Sequence, residues 1–367
     1  MRVLYTATIG ITMTFFRSIV RQLLDEGHTV DIATNENDGY EVPVCYREWN
    51  CKIYPISWSR SPLSTGNVNA VKELKKIVTE GNYDIVHCHT PIAATCTRFA
   101  CKGLRKSGLK VIYTAHGFHF YKGSPLKNWL LFYPMEKICS RWTDVLITIN
   151  KEDYALAQKK MRAKRIEYVP GVGIDTERFK NTIIDKNKKR EEIGIPQDAF
   201  LVLSVGELNE NKNHQIVVRA IAEIGDKNIH YAIAGKGDQK EALENLAAGL
   251  GISEQFHLLG YRTDVAELYK TADVYALPSI REGLNVSVME AMASGLPCIV
   301  SKIRGNVDMV EDGVNGYYID PFDVSTAVES IKRAIAAPKR DDISGYADKF
   351  NDVEINKKMM EIYEGLI

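Results

Sequence analysis

Apolar residues in this chain come in short unbroken runs, separated by stretches with helical spacing. Arg2 to Thr8 is a run of β-branched and aromatic residues, residues 12–26 carry apolar positions at helical period, Gly27 offers a C-cap, and Thr29 to Thr34 is strand-like again. Further along, IVHCH (85–89), VIYTAH (111–116) and VLITI (145–149) read as strands, with helices expected at about 91–106 and 126–141. Runs that are apolar throughout are expected of strands buried on both faces. Their alternation with helices implies βαβ units and a parallel sheet.

The pattern breaks at residues 170–196, which are rich in Gly, Pro and charge and read as a linker. It then restarts with FLVLSVG (200–206), a helix at about 213–224, HYAIAG (230–235), another helix, FHLLG (256–260), VYALPS (274–279) and PCIVS (297–301), and a final amphipathic stretch covers about 352–366. The fold class expected is α/β, with two doubly wound domains of similar size. Ligands of such sheets bind beyond the carboxyl ends of the strands, so the cleft between two facing domains is the default active site.

Composition adds little to this, but charge does. The 367 residues are 45% hydrophobic and 26% charged, ordinary for a globular chain. Seven cysteines, an odd number without a CxxC pair, argue against a disulfide framework or a zinc site and fit a reducing cytosol. The opening MRVLYTATIG reads as a strand rather than a signal peptide, and no run of about 18 apolar residues exists to span a membrane. Net charge is zero, yet residues 1–175 hold 24 Lys+Arg against 16 Asp+Glu, while the remainder holds 23 against 31. A basic first half suits an anionic partner, either lipid or a phosphorylated substrate. Nucleic acid fits poorly, because no binding module is visible.

Chemistry concentrates after the strands. SVGELNENKNH (204–214) leaves a strand and opens a helix with Lys212 near its start, and AGKGD (234–238) does the same with Gly235. Helix starts present unpaired N–H groups that suit phosphate, although Gly after a strand is also ordinary turn chemistry. In REGLNVSVMEAMASG (281–295), Asn285 is a plausible N-cap and Gly295 a plausible C′ residue. Glu282 then lies in the loop and Glu290 just past the first helical turn, two acceptors spaced for a hydroxyl-rich ligand. The loop Gly283, Leu284 and Asn285 could approach that ligand by its backbone. In the first half, His116 ends a strand, where α/β sites gather, and forms HGFH with His119. His87 and His89 share one face of a strand, and His89 is a weak candidate for the acceptor site, as is His119. Metal ligation by these residues is not expected, for want of further ligands at suitable spacing.

REGLNVSVMEAMASGLPCIVS is similar to the E-x7-E segment of the family 4 retaining glycosyltransferases, which have the GT-B fold. DIVHCH, YTAHGFH, VPGVGIDTERF, SVGELNENKNH, AGKGD, LLGYRTDVAELY, ADVYALPS and EDGVNGYYI resemble the family's remaining motifs, in family order. TAHGFHFYKG with NWLLFYPME resembles the bacterial exopolysaccharide and capsule subgroup. The resemblance implies two Rossmann-like domains, 1–175 for the acceptor and 176–349 for the nucleotide-sugar, with a C-terminal helix at about 350–367 packing back on the first. It implies a peripheral enzyme at the inner face of the cell membrane that moves a hexose or N-acetylhexosamine from a UDP-sugar to a polyprenyl-diphosphate-linked saccharide. Glu290 would take the ribose hydroxyls and Glu282 those of the sugar. The amides of Gly283, Leu284 and Asn285 would hold sugar and diphosphate, and Lys212 the leaving diphosphate. The base would lie near Gly260, Tyr261 and Arg262, with Gly10 and Gly235 near the phosphates and His116 at the reaction centre.

Glu207 stands where many relatives have Arg, so the diphosphate clamp lacks one positive charge that Arg281, Arg262 or a divalent cation could replace; no cofactor is otherwise implied. Basic stretches at 98–110 and 158–165 flank Trp129, Phe132, Tyr133 and Trp142, a mixture suited to an anionic membrane surface, with about half of these aromatics expected in the core. Rival readings are a UDP-N-acetylglucosamine 2-epimerase and a non-catalytic sugar-nucleotide-binding regulator.

Overall fold

A computed structural model describes residues 1–37, 39–59, 64–338 and 340–367. The chain divides into two compact units, Met1–Gly173 with Asp352–Ile367, and Ile174–Asn351.

The first unit is built on β1 (Arg2–Ala7), β2 (Thr29–Thr34), β3 (Ile53–Pro55), β4 (Ile85–His89), β5 (Lys110–Ala115), β6 (Val145–Thr148) and β7 (Arg165–Tyr168). All pairs are parallel, in the order β3-β2-β1-β4-β5-β6-β7. From β1 the chain first builds toward β3 and then returns to lay β4 on the other side of β1. The carboxyl ends of β1 and β4 therefore flank a gap from which the connections diverge. The second unit uses β8 (Phe200–Val205), β9 (Ile229–Ala234), β10 (Phe256–Gly260), β11 (Val274–Leu277), β12 (Cys298–Ser301) and β13 (Gly316–Ile319). Their order, β10-β9-β8-β11-β12-β13, puts the corresponding gap between β8 and β11. The middle strands are buried along their length, as continuous apolar runs require.

Several elements differ from expectation. The segment read as a helix over 12–26 is a 3-10 turn, Gly10–Phe16, followed by an α-helix only from Arg17 to Asp25. The presumed linker carries two short helices, Thr176–Asn181 and Lys186–Glu192, capped by Asp175 and Asp185. Strands β3, β7 and β13 and the helices Gly66–Gly81 and Val324–Ala336 were not anticipated. The aromatic residues of Leu126–Cys139 go inward: Trp129, Phe132 and Tyr133 pack on the core of the first unit, while Leu126, Leu130, Leu131, Met135 and Ile138 face solvent. A fully buried Arg98 holds this helix by two bonds to Glu136, at 2.8 and 3.1 Å.

The final helix, Asp352–Glu364, packs on the first unit. Its Tyr363 hydroxyl lies 2.5 Å from the Tyr5 hydroxyl and 2.7 Å from His87 Nδ1, all three residues being buried. Deleting one partner of a buried hydrogen bond strands the others. Tyr363→Phe should therefore cost about 1–3 kcal/mol of unfolding free energy in urea titrations, whereas a change within ~0.5 kcal/mol would show that Tyr5 and His87 find other partners.

Candidate active site

The sequence after β8 does not run straight into a helix. Gly206 has φ +157°, Asn209 accepts the Lys212 N–H with its side chain at 3.0 Å, and Glu210–Lys212 forms one 3-10 turn. Asn213 follows in the left-handed region, a conformation Asn tolerates better than most residues. Its buried amide donates to the carbonyls of Pro278 and Pro321, at 3.3 and 2.8 Å. Asn211 donates to the Arg281 carbonyl at 2.9 Å, and Ile280 N–H donates back to the Asn211 carbonyl at 2.8 Å. His214, buried and held neutral with its pKa lowered to about 4, bridges the Tyr231 hydroxyl and the Glu207 carbonyl. These bonds tie the loop after β8 to the loop after β11 across the gap in the sheet.

The glycines of AGKGD serve this packing. A Cβ on Gly235 would lie 1.7 Å from the Gly206 carbonyl oxygen, and one on Gly237 would lie 2.1 Å from that of Leu208. Both distances are far inside contact, so only Gly lets the loops after β8 and β9 touch. Leu208 N–H bonds to the Lys236 carbonyl and Gln239 N–H to the Leu208 carbonyl, each at 2.9 Å. Gly235 thus packs against the loop that carries Lys212. The helix that follows, Lys240–Gly249, begins two residues after Asp238, the end of that motif.

Across the gap, Lys212 Nζ lies 2.8 Å from Glu282 Oε1, with side-chain exposures of 16% and 12%. The two residues assigned separate duties by resemblance therefore neutralise one another. Glu207, exposed, accepts from Asn209 Nδ2 at 2.8 Å and adds negative charge to the same loop. Asn285 caps the helix Val286–Ala293, accepting from Ser287 N–H at 2.9 Å, and Gly295 ends it with φ +87°. The N–H groups of Gly283, Leu284 and Asn285 donate to no described residue, so this helix start can bind an anion or hydroxyl oxygens. Gly305, at φ +81°, supports that loop from behind: a Cβ there would meet the Gly283 carbonyl at 1.7 Å.

Glu290 is half-buried and accepts from the Tyr269 hydroxyl at 3.0 Å. Burial lifts its carboxyl to about 7, with the Tyr269 bond and the charge of Arg178 opposing that rise. Among the predicted base contacts, Tyr261 is 71% exposed and Gly260, φ +67°, follows an irregularity in the β9–β10 ladder. Arg262 is not available to replace the missing clamp charge. Its guanidinium bonds Asp264 at 2.5 and 2.8 Å and Glu192 at 2.6 Å, and Asp264 also binds Lys189.

In the first unit Gly10 and His89 are both engaged by neighbouring protein groups. Gly10 is buried, its N–H bonds to the Asn35 carbonyl at 2.9 Å, and a Cβ would lie 2.4 Å from the Tyr40 carbonyl oxygen. Its lack of a side chain makes room for the 40–42 segment. His89 is fully buried and bonds His116, so it presents no face to an acceptor. His116, half-buried at the end of β5, has its imidazole lowered to about 4 by burial and is neutral at pH 7. His119 packs its ring 4.6 Å from that of Phe132. The HGFH loop is held by Asp153, which accepts from Phe118 N–H and Asn150 Nδ2 at 3.0 and 2.8 Å. That buried pair was missed, though Asn150 ahead of Lys151-Glu152-Asp153 carries an N-cap signature.

Two family models match the chain, Glycosyltransferase Family 4 over residues 14–178 and Glycosyl transferases group 1 over 185–350. The chain is similar to the putative glycosyltransferase EpsD of Bacillus subtilis, 38% identical over 319 residues that cover 84% of each chain. It is also similar to the UDP-Gal:alpha-D-GlcNAc-diphosphoundecaprenol alpha-1,3-galactosyltransferase of Escherichia coli, 29% identical over 74% of this chain and 73% of that one. Among solved structures, HepE of Anabaena in complex with UDP and glucose superposes with a TM-score of 0.82 at 20% identity, each chain covered in full, which establishes likeness of fold. With two parallel-sheet Rossmann-like units, and with motifs and relatives in agreement, the chain belongs to the family 4 glycosyltransferases of the GT-B fold.

Proposed function

We propose that this glycosyltransferase moves a hexose or N-acetylhexosamine from a UDP-sugar to a polyprenyl-diphosphate-linked saccharide, with retention, in bacterial surface polysaccharide synthesis. The observation that carries this reading is the grouping of Lys212, Glu282, the free amides of 283–285 and Glu290 at the sheet gap of the second unit. The names of the Bacillus and Escherichia relatives support the exopolysaccharide setting and the lipid-linked acceptor. Transfer between such partners favours this reading over epimerisation.

In this scheme Glu290 accepts the ribose hydroxyls and the amides of 283–285 hold sugar and diphosphate. Gly260 and Tyr261 lie beside the base, and His116 contacts the transferred sugar. Donor binding divides the Lys212–Glu282 pair between two targets: the ammonium turns to the diphosphate, and the carboxylate accepts sugar hydroxyls. The bond from C1 to the phosphate oxygen breaks while the acceptor hydroxyl oxygen bonds C1 on the same face, and the hydroxyl proton passes to the leaving phosphate oxygen. Charge grows on the diphosphate in that step, so Lys212 acts most strongly in the transition state. A divalent cation would offset Glu207, and loss of activity with chelator would reveal it.

The first unit is proposed to face an anionic membrane at the inner side of the cell. No helix among the described residues is long and apolar enough to cross a membrane. Leu126 and Leu130, one helical turn apart and each more than 70% exposed, share their helix with Lys127 and Lys137. Contiguous exposed apolar residues rimmed by cations suit a lipid interface. Leu131, Met135 and Phe132 of the same helix also line, with Val68, Val71 and Ile92, an apolar groove of about 400 Å³.

The donor assignment predicts that Glu290→Ala weakens UDP by ~10–100-fold, the usual worth of a hydrogen bond to a charged group. Glu282→Ala should spare or tighten UDP, because it frees Lys212. Since the Glu290 carboxyl titrates near 7 and is the stronger acceptor when ionised, affinity should fall as pH drops, by up to about tenfold at pH 6. UDP itself titrates near there, so the comparison is with Glu290→Gln, whose profile should lack this component. Calorimetry at pH 6, 7 and 8 reads all three; equal loss of UDP in both alanine variants contradicts the division of roles.

The membrane assignment predicts co-sedimentation with anionic but not neutral vesicles, weakened by salt and by Leu126→Glu combined with Leu130→Glu. Binding indifferent to lipid charge contradicts it.

A further inference from the structure

His89 and His116 end neighbouring parallel strands, and His89 Nδ1 lies 3.2 Å from His116 Nε2. The His89 ring is enclosed. It stacks on Phe16 at 4.1 Å and Tyr5 at 5.5 Å and lies 4.2 Å from the ring of His87. His87 cannot serve it, because both His87 nitrogens are engaged, with the Tyr363 hydroxyl at 2.7 Å and Thr114 Oγ1 at 2.8 Å. His89 Nε2 is buried and has no hydrogen-bond partner among the described residues. Burial holds all three imidazoles below their ordinary range, His87 at about 3 and His116 at about 4, so each carries a single ring proton at neutral pH.

Two neutral rings sharing one hydrogen bond can do so in two ways. If His116 donates from Nε2, His89 accepts at Nδ1 and its own proton sits on Nε2, as a buried N–H with no acceptor. If His89 donates from Nδ1, its Nε2 keeps a bare lone pair and the His116 proton moves to Nδ1. Buried orphan N–H donors are rarer in proteins than under-used acceptors, and the second arrangement avoids one. We infer that His89 is a positioning residue that donates from Nδ1 to His116 Nε2, fixing His116 as the Nδ1–H tautomer so that it meets its ligand as a neutral hydrogen-bond donor.

Resting on the proposed transferase reading, this makes an oxygen of the bound sugar the partner of His116 and excludes a general-base role for its Nε2. It agrees with a step in which the leaving phosphate takes the acceptor proton. The rest of the cluster is a clamp: Tyr5, Phe16 and His87 fix the plane of His89, and the bond to His89 fixes the plane of His116.

The test reads the ring directly. Long-range ¹H–¹⁵N correlation on ¹⁵N-labelled full-length protein should show His116 with Nδ1 protonated and Nε2 bare at pH 7. His89→Asp, which sets an acceptor opposite Nε2, should reverse the pattern. An Nε2–H tautomer in the wild type overturns the inference. In turnover, His89→Asn retains an N–H donor and should stay within about threefold of wild type, while His89→Leu should lower kcat by ~10–100-fold with the melting transition intact and donor KM little changed. Equal losses in the Asn and Leu variants, or none in Leu, also overturn it. The spectra need no substrate, so absence of transfer with every UDP-sugar would count against the proposed function and leave the tautomer decided.

Discussion

Two loops must meet over the place where the second sheet reverses its strand order, and the Lys212–Glu282 ion pair is what they bring together there. Neither residue reaches the other from its own strand alone. Asn213 anchors one loop to Pro278 and Pro321, and Asn211 exchanges bonds with Ile280 and Arg281. Gly235 and Gly237 let the neighbouring loop close underneath, and Gly305 supports the far side. A charged pair this sheltered keeps its geometry because these backbone bonds fix both stems. A pair on two exposed side chains would give up much of its attraction to solvent screening and side-chain entropy.

The first unit meets the same topological situation with different chemistry. At its reversal, between β1 and β4, Thr8 and Thr90 bond through their hydroxyls at 2.7 Å, and Thr90 holds φ +61°, unusual for a β-branched residue. Beyond them lie neutral, buried histidines rather than an ion pair. One unit thus presents an ion pair and the other neutral imidazoles in an apolar setting.

Parallel architecture was legible because its central strands are apolar throughout, and the helix at Val286–Ala293 was legible because Asn285 and Gly295 mark its ends. Edge strands were not. In β7, RIEY is largely polar and partly exposed, and β3 has three residues. The helix Gly66–Gly81 buries Ala70, Leu74 and Val78 at helical spacing and could have been read. At the site, sequence pointed to the residue types but not to their pairings. Nothing in the order of residues shows that Lys212 and Glu282, seventy positions apart, neutralise each other, or that Arg262 is bound by carboxylates from two segments. Gly10 and Gly235 look like phosphate turns in one dimension. In the structure both are also close backbone contacts, a feature that depends on which segment passes nearby.

The central claim is that Lys212 and Glu282 work as one coupled unit on the donor. A double-mutant cycle on kcat/KM for transfer, with Lys212→Met, Glu282→Gln and both together, tests it most directly. Residues that share an interaction show coupling of about 0.5–3 kcal/mol, and removing a donor to a developing oxyanion typically costs ~10²–10³ in turnover. The account predicts a loss of that order for Lys212→Met and a double variant more impaired than the product of the two single losses, because each single variant is spared the cost of parting the resting pair. Strictly multiplicative losses, or near-normal turnover in Lys212→Met, would contradict it.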